Sequence, residues 1–207
     1  MKKTIVAFFA REHGLSGLSA LIESRRYEPI CVVTHQLLPQ SEEPRKLQRP
    51  DFADYQKLTA KYGIPLYTVD TKKEQALVEE ALSEMPFDMI ASISWRRLIP
   101  IPLIARAAYG GVNLHRGRLP DYAGAEPIKQ ALKRGDRSVT ISAHILAPEI
   151  DAGQVLCQVE HPISLSERLS LTANIDRIKR QLTPYFGPLL IQALDKLRSS
   201  SKSPLKA

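Results

Sequence analysis

The sequence predicts an α/β fold: a mainly parallel sheet flanked by helices and followed by a C-terminal helical segment. Three observations predict it. Short apolar, β-branched runs alternate with amphipathic stretches of helical period from the N-terminus to about residue 165. Glycine and proline punctuate the joins between them. From Glu167 onward only the helical period remains, carried by Ile175, Ile178, Leu182, Leu189, Ala193 and Leu197. A chain of 207 residues suits one domain with a sizeable core. We therefore expect a single domain over 1–198 and a basic, disordered Ser/Lys tail over 199–207.

Residues 3–10 (KTIVAFFA) read as a buried first strand rather than a signal peptide, because Arg11, Glu12 and His13 interrupt the apolar run. A glycine-containing turn around Leu15-Ser16-Gly17 should lead into a helix, with Ser16 placed to bind an anion at free backbone N–H groups. The second strand is 29–34 (PICVVT), and 35–50, rich in Pro, Gln and charge, reads as a surface connector. A helix over 51–62 is capped near Asp51 and ended by Gly63, and IPLYTV is a third strand. Residues 71–85 form an amphipathic helix with Ala76, Leu77, Ala81 and Leu82 as its inner stripe. The fourth strand, 88–94, breaks out into Trp95-Arg96-Arg97-Leu98-Ile99-Pro100, and 102–108 is helical.

Gly110 and Gly111 then open a fifth strand in which Val112-Asn113-Leu114-His115 alternates apolar and polar. Asn113 and His115 thus share one face. A turn-rich loop and a helix from Pro127 follow. An amide and an imidazole at a strand's carboxyl end, just before a helix, sit where open α/β sheets place active sites. On this local pattern alone, a turn-capping Asn and a bystander His remain an open alternative. Strand 138–147 carries Thr140, Ser142 and His144 on one face; a turn containing Asp151 and Gly153 leads to a returning strand, 154–162. Thr183-Pro184 matches a helix N-cap and first-turn proline, so a restart or kink is expected there.

Composition narrows the function classes. Hydrophobic content of 43% and charged content of 25% are those of a soluble globular protein, and no run is long enough for a bilayer span. The two cysteines, Cys31 and Cys157, sit in strand-like runs without metal-ligand spacing, so we expect core thiols in the cytoplasm. The net charge is +7, but Lys196, Arg198, Lys202 and Lys206 near the C-terminus carry more than half of it. Charge therefore says little in favour of nucleic-acid binding.

With these elements placed, four motifs stand in order: Asn113-Leu-His115, Leu119-Pro120, Tyr122-Ala-Gly124 and Asp151-Ala-Gly153. In this the chain resembles the 10-formyltetrahydrofolate-dependent formyltransferases. That family includes glycinamide ribonucleotide transformylase, the catalytic domain of methionyl-tRNA formyltransferase and the sugar N-formyltransferases. The resemblance covers about residues 3–165 and implies a Rossmann-like fold of the formyltransferase type. It implies catalytic roles for Asn113, His115 and Asp151, with Asn113 donating to the oxyanion of a tetrahedral intermediate and His115 with Asp151 moving protons. It implies a folate pocket formed by Trp95, Arg96, Arg97, Leu98 and Ile99 together with His144, Glu149 and Ile150. Ser16, Arg116 and Glu126 fall on the acceptor side. The co-substrate implied is 10-formyltetrahydrofolate, without a metal, and the acceptor a small-molecule amine, an amino sugar or ribonucleotide-like. Neither a membrane nor nucleic acid is an expected partner, and the C-terminal helices offer a homodimer surface.

The loop after His115 departs from the family, reading Arg116-Gly117-Arg118 where relatives carry small residues and serine. No room is expected beyond residue 165 for the barrel domain of the methionyl-tRNA enzyme, nor a leading regulatory domain before the first strand. Two other functions remain: a formyltetrahydrofolate hydrolase using the same three residues, and a non-catalytic basic module binding nucleic acid through Arg116, Arg118 and the tail.

Overall fold

The computed structural model describes residues 1–200. The elements run β1 (Lys3–Phe9), α1 (Arg11–Glu23), β2 (Tyr27–Thr34), α2 (Phe52–Tyr62), β3 (Leu66–Thr68), α3 (Lys72–Ser83) and β4 (Met89–Ile93). They continue with α4 (Ile101–Arg106), β5 (Gly111–His115), α5 (Pro127–Arg134), β6 (Ser138–Ile145), β7 (Val155–Pro162) and α6 (Leu171–Ser199). The strands form one seven-stranded sheet of order β3-β2-β1-β4-β5-β6-β7. Pairings from β3 across to β5 are parallel, whereas β5–β6 and β6–β7 are antiparallel. The mainly parallel α/β expectation is met.

Both faces of the sheet are covered, as parallel sheets require. One core contains Phe9, Ile93 and Val112 packed under Leu18 and Leu21 of α1 and Phe186, Leu190 and Leu194 of α6. The other contains Val6, Val33 and Ile90 under Val78 and Leu82 of α3 and Leu103 and Ile104 of α4. Cys31 and Cys157 are free and buried in these layers, and burial pushes the Cys31 thiol up to about 12. Among the described residues, no helix is long and apolar enough to cross a membrane.

Several local expectations are corrected. Residues 14–17 are not a turn, because α1 already begins at Arg11 and both glycines lie inside it. They are contact residues: a Cβ on Gly14 would lie 2.9 Å from the Phe9 Cβ and 3.2 Å from its backbone carbon, neither of which can rotate away, so a glycine there lets α1 press against β1. The inner face of α3 is Val78 and Leu82, flanked by half-buried Gln75 and Glu79; Leu77 is 57% exposed, and Ala76 and Ala81 also face water. Asp51 occupies the N-cap position of α2 but makes no capping bond, since its carboxylate pairs with Arg49 at 2.7 Å. Thr183-Pro184 starts no new helix. α6 runs through Pro184 and Pro188, and the Thr183 hydroxyl donates to the Lys179 carbonyl at 3.2 Å, one turn back. The 35–50 segment is more than a connector, because Arg49 is buried and hydrogen-bonds Thr34 at 3.3 Å. The tail expected over 199–207 lies, apart from its first two residues, outside the described residues.

Candidate active site

Strand order creates the site. After β3 the chain crosses back over β1 to place β4 on the opposite side of it, so the connections after β1 and β4 leave the sheet in divergent directions. A crevice opens at such a switch point, outside the carboxyl ends of the strands. Here a cleft of about 950 Å³ is bounded by Ala10 after β1, Ser94–Ile99 after β4 and Arg116 after β5. The 35–50 segment, the turn at Asp151 and Lys179 of α6 complete its walls.

β5 and β6 carry three of the polar groups at the cleft floor, Asn113, His115 and His144. Their antiparallel register sets Asn113 opposite His144 and His115 opposite Ser142. Direct cross-strand neighbours on one face lie within side-chain reach, and the Asn113 Nδ2–His144 Nε2 distance is 3.0 Å. The His144 Nδ1–H is committed to the Ile145 carbonyl at 2.9 Å, which leaves Nε2 as the acceptor for the Asn113 amide. Ser142 fastens the loop that follows β5. Its hydroxyl donates to the Gly117 carbonyl at 2.7 Å and accepts from the Leu119 N–H at 3.2 Å.

Asp151 closes the site from the β6–β7 turn. Its Oδ2 lies 3.1 Å from His115 Nδ1 and accepts the Gly124 N–H at 3.0 Å. Its Oδ1 lies 3.4 Å from both Asn113 Nδ2 and His144 Nε2. Burial works to raise the Asp151 pKa, but the neighbouring His144, the Gly124 N–H and the nearby His115 outweigh it and hold the carboxyl below its ordinary range. His115 is buried, its Nε2 2.7 Å from the Tyr122 carbonyl. Burial lowers its pKa, opposed by Asp151 and by that carbonyl. Both ring nitrogens face acceptor oxygens, Nε2 the Tyr122 carbonyl and Nδ1 the Asp151 carboxylate, so the surroundings can hold a proton on each nitrogen when the ring is charged.

The expected folate-side residues all line the same cleft: Trp95 to Ile99 along one wall, His144, Glu149 and Ile150 along another. Trp95 stacks on His35 (centroids 4.0 Å apart, 10° between planes) and meets Phe8 edge-on at 5.2 Å. Arg96 bonds Asp70 at 2.8 Å and Arg97 the Asp70 carbonyl at 2.5 Å, fixing that wall to the β3–α3 junction. Among the described residues, buried Trp95 Nε1, Arg97 Nε and His35 Nε2 have no hydrogen-bond partner, and Leu98 and Ile150 are 61% and 65% exposed at the rim. A flat heteroaromatic ring with a polar edge fits this lining.

Of the residues expected on the acceptor side, Arg116 and Glu126 line the cleft, Glu126 exposed and paired with Lys129 at 2.9 Å. Ser16 is not among the lining residues. It lies between α1 and α6, where its hydroxyl accepts the Gly187 N–H at 3.3 Å, because α1 absorbs the turn that would have turned it towards the cleft. The sequence did not single out Arg11, His35, Arg49 and Lys179 as site residues; each lines the cleft from a different segment, without a local motif. Among the described residues no group of three or more His, Cys, Asp or Glu side chains is arranged to hold a metal ion.

The formyl transferase family model matches residues 4–181, spanning every element of the cleft. This chain belongs to the formyl transferase family. It is 27% identical over 204 residues to the methionyl-tRNA formyltransferase of Thermodesulfovibrio yellowstonii, covering 99% of this chain and 62% of that protein. The chain thus spans roughly three-fifths of the length of the curated relatives it matches, with 60% coverage of two others. Among solved structures it superposes on glycinamide ribonucleotide transformylase 1 from Symbiobacterium toebii with a TM-score of 0.70 at 16% identity, covering 93% of this chain and 85% of that one. It superposes on a formyltetrahydrofolate deformylase from Pseudomonas syringae pv. tomato str. DC3000 with a TM-score of 0.71 at 22% identity, covering 96% and 62%. These likenesses establish the formyltransferase-type fold.

Proposed function

We propose that this chain is the catalytic unit of an N-formyltransferase that moves a formyl group from 10-formyltetrahydrofolate, a substrate, to a small-molecule amine, either an amino sugar or ribonucleotide-like. One observation carries this reading: the Asp151 carboxylate meets His115 at 3.1 Å and Asn113 and His144 at 3.4 Å, inside a cleft large enough for two substrates.

The folate supplies a formyl group on nitrogen. Trp95 to Ile99 and the His144–Ile150 segment would hold its ring system. Attack by the acceptor amine places negative charge on the formyl oxygen. Of the two Asn113 amide contacts, the one to Asp151 at 3.4 Å is the looser, and its N–H is the donor that oxygen would draw. A preorganised donor of this kind is worth roughly 3–4 kcal/mol at the transition state. The amine proton passes to the Asp151–His115 pair and comes to rest between Oδ2 and Nδ1, where the carboxylate stabilises the imidazolium. Tyr122 fixes the tautomer that makes Nδ1 the base. The same proton is then available to the departing folate nitrogen.

The test is incubation of the chain with 10-formyltetrahydrofolate and a panel of primary amines, following both tetrahydrofolate and formylated amine. Amine-dependent turnover that disappears in His115→Ala supports the reading. Stoichiometric formate without any formylated amine would overturn it in favour of a hydrolase.

A further inference from the structure

The cleft floor carries a row of three polar side chains in register. Ser92 of β4 pairs with Asn113 of β5, and Asn113 with His144 of β6. In-register neighbours share one face of a sheet, on strands about 4.8 Å apart, and all three line the cleft. Two of them are engaged. The Asn113 amide is turned to His144 at 3.0 Å and to Asp151 at 3.4 Å, and His144 Nδ1 meets the Ile145 carbonyl at 2.9 Å. Ser92 is different. It is only 4% exposed, and among the described residues its hydroxyl makes no hydrogen bond. A buried hydroxyl without a partner is costly, and one that opens onto a cleft can be satisfied by what binds there.

The surroundings offer it little else. Its in-register neighbour on β1 is buried Phe8, and Ile99, Ile104 and Leu146 add apolar lining to the cleft. The folate reading fixes what passes over this floor. For the formyl oxygen to reach the Asn113 amide, the nitrogen that carries it must lie over Asn113, so the ring extends to one side, over β6 or over β4. On the β6 side both His144 nitrogens are already engaged. On the β4 side the Ser92 hydroxyl is free. The ring heteroatom nearest the formyl-bearing nitrogen is N5, which in a tetrahydrofolate carries a hydrogen, and a serine oxygen can accept it.

We propose that Ser92 is a specificity-determining residue for the co-substrate: its hydroxyl oxygen accepts the N5–H of the reduced folate ring and so selects tetrahydrofolates whose N5 is unsubstituted. This rests on the N-formyltransferase reading and adds the contact that sets the ring beside Asn113. A site built to bond a substrate N–H rejects the analogue that lacks it, because its own polar atom is then left unpaired.

The test measures, by titration calorimetry on the full chain, the affinities of tetrahydrofolate and 5-deazatetrahydrofolate, in which a CH2 replaces N5–H. The wild type should bind tetrahydrofolate roughly three- to tenfold more tightly, the worth of one neutral hydrogen bond. In Ser92→Ala the two should bind alike, through weaker binding of tetrahydrofolate, with a Tm near that of the wild type. Ser92→Cys keeps the volume but offers only a weakly accepting sulfur; it should behave as the alanine variant does and serves in its place if that variant does not fold. A folded variant that keeps the wild-type ratio overturns the proposal, as does a wild type that binds both compounds equally. 5-Methyltetrahydrofolate, whose N5 has no hydrogen, should bind the wild type no better than the deaza compound; binding as tight as that of tetrahydrofolate also overturns it. Turnover is read separately. If formate is released without formylated amine while the Ser92-dependent ratio persists, the transfer reading fails and the folate contact stands. If amines are formylated but the ratio is absent, the transfer reading stands and Ser92 is removed.

Discussion

Asp151 adopts φ 53°, a left-handed conformation that disfavours any side chain with a Cβ. So do Arg11, Ser94 and Glu126, and all four border the cleft. Strain of about 1–3 kcal/mol per residue persists only where surrounding contacts over-determine it. At Asp151 those contacts are to His115, Asn113, His144 and the Gly124 N–H, the first two proposed to act in catalysis. Replacing Asp151 with Asn keeps the shape but removes the charge that stabilises the His115 imidazolium. We expect turnover to fall by roughly 10²–10⁴, the usual worth of positioned proton transfer, with a circular-dichroism spectrum like the wild type. Loss below tenfold would take Asp151 out of proton transfer. The pH profile follows from His115. As a base it works neutral, and burial has moved its pKa below the ordinary value. Log kcat/KM should therefore rise with pH along an acid limb centred below about 6.5, the unperturbed histidine value. A limb centred above that value would mean that the carboxylate outweighs burial.

Turns at this site are constrained by backbone packing. A Cβ on Gly153 would fall 1.8 Å from the Ile145 carbonyl oxygen, which is backbone and has no rotamer to yield. Gly153→Ala must push the Asp151 turn away from β6, so it should lower stability by about 1–3 kcal/mol in urea melts and reduce kcat along with it. An unchanged urea midpoint with full activity would show that the turn has slack. On the far side of the sheet, Leu190 of α6 is fully buried beside α1. Leu190→Ala should cost about 2–5 kcal/mol, read as a drop in urea midpoint. Elements of this kind were legible in the sequence, since a buried strand or a two-turn amphipathic pattern is a local property. Of the expected α3 stripe Leu82 is buried, but Ala76, Leu77 and Ala81 are not, because alanine and leucine spacing fits two faces and only packing on α4 and the sheet selects Val78 beside Leu82. The continuity of α6 through Pro184 escaped for a similar reason: helix packing on α1 overrides a local break signal.

At the scale of the whole molecule, the sheet order gathers residues that sequence distance separates. Asn113, His115 and Asp151 could be singled out because each belongs to a compact motif; His13, His35, Arg49 and Lys179 could not, because their meaning arises only where their segments converge. That convergence has a measurable cost in acid. His13 and His35 are both buried, and burial first, then nearby arginines, lowers each pKa to about 3. In the unfolded chain both protonate near 6.5. Between those values the unfolded state binds protons that the native state does not, so native stability falls as pH falls. Above about 6.5 neither histidine contributes any pH dependence. His115, also lowered by burial, acts in the same direction. The slope should approach about 1.4 kcal/mol per pH unit for each such histidine well inside the window. Urea midpoints from pH 7.5 to 4.5 should therefore hold steady at first and then decline. His13→Gln and His35→Gln together should flatten the decline even if they lower stability at pH 7.5. A double variant whose midpoint falls as steeply as the wild type would assign the acid sensitivity to other groups and show that these two rings accept protons without unfolding.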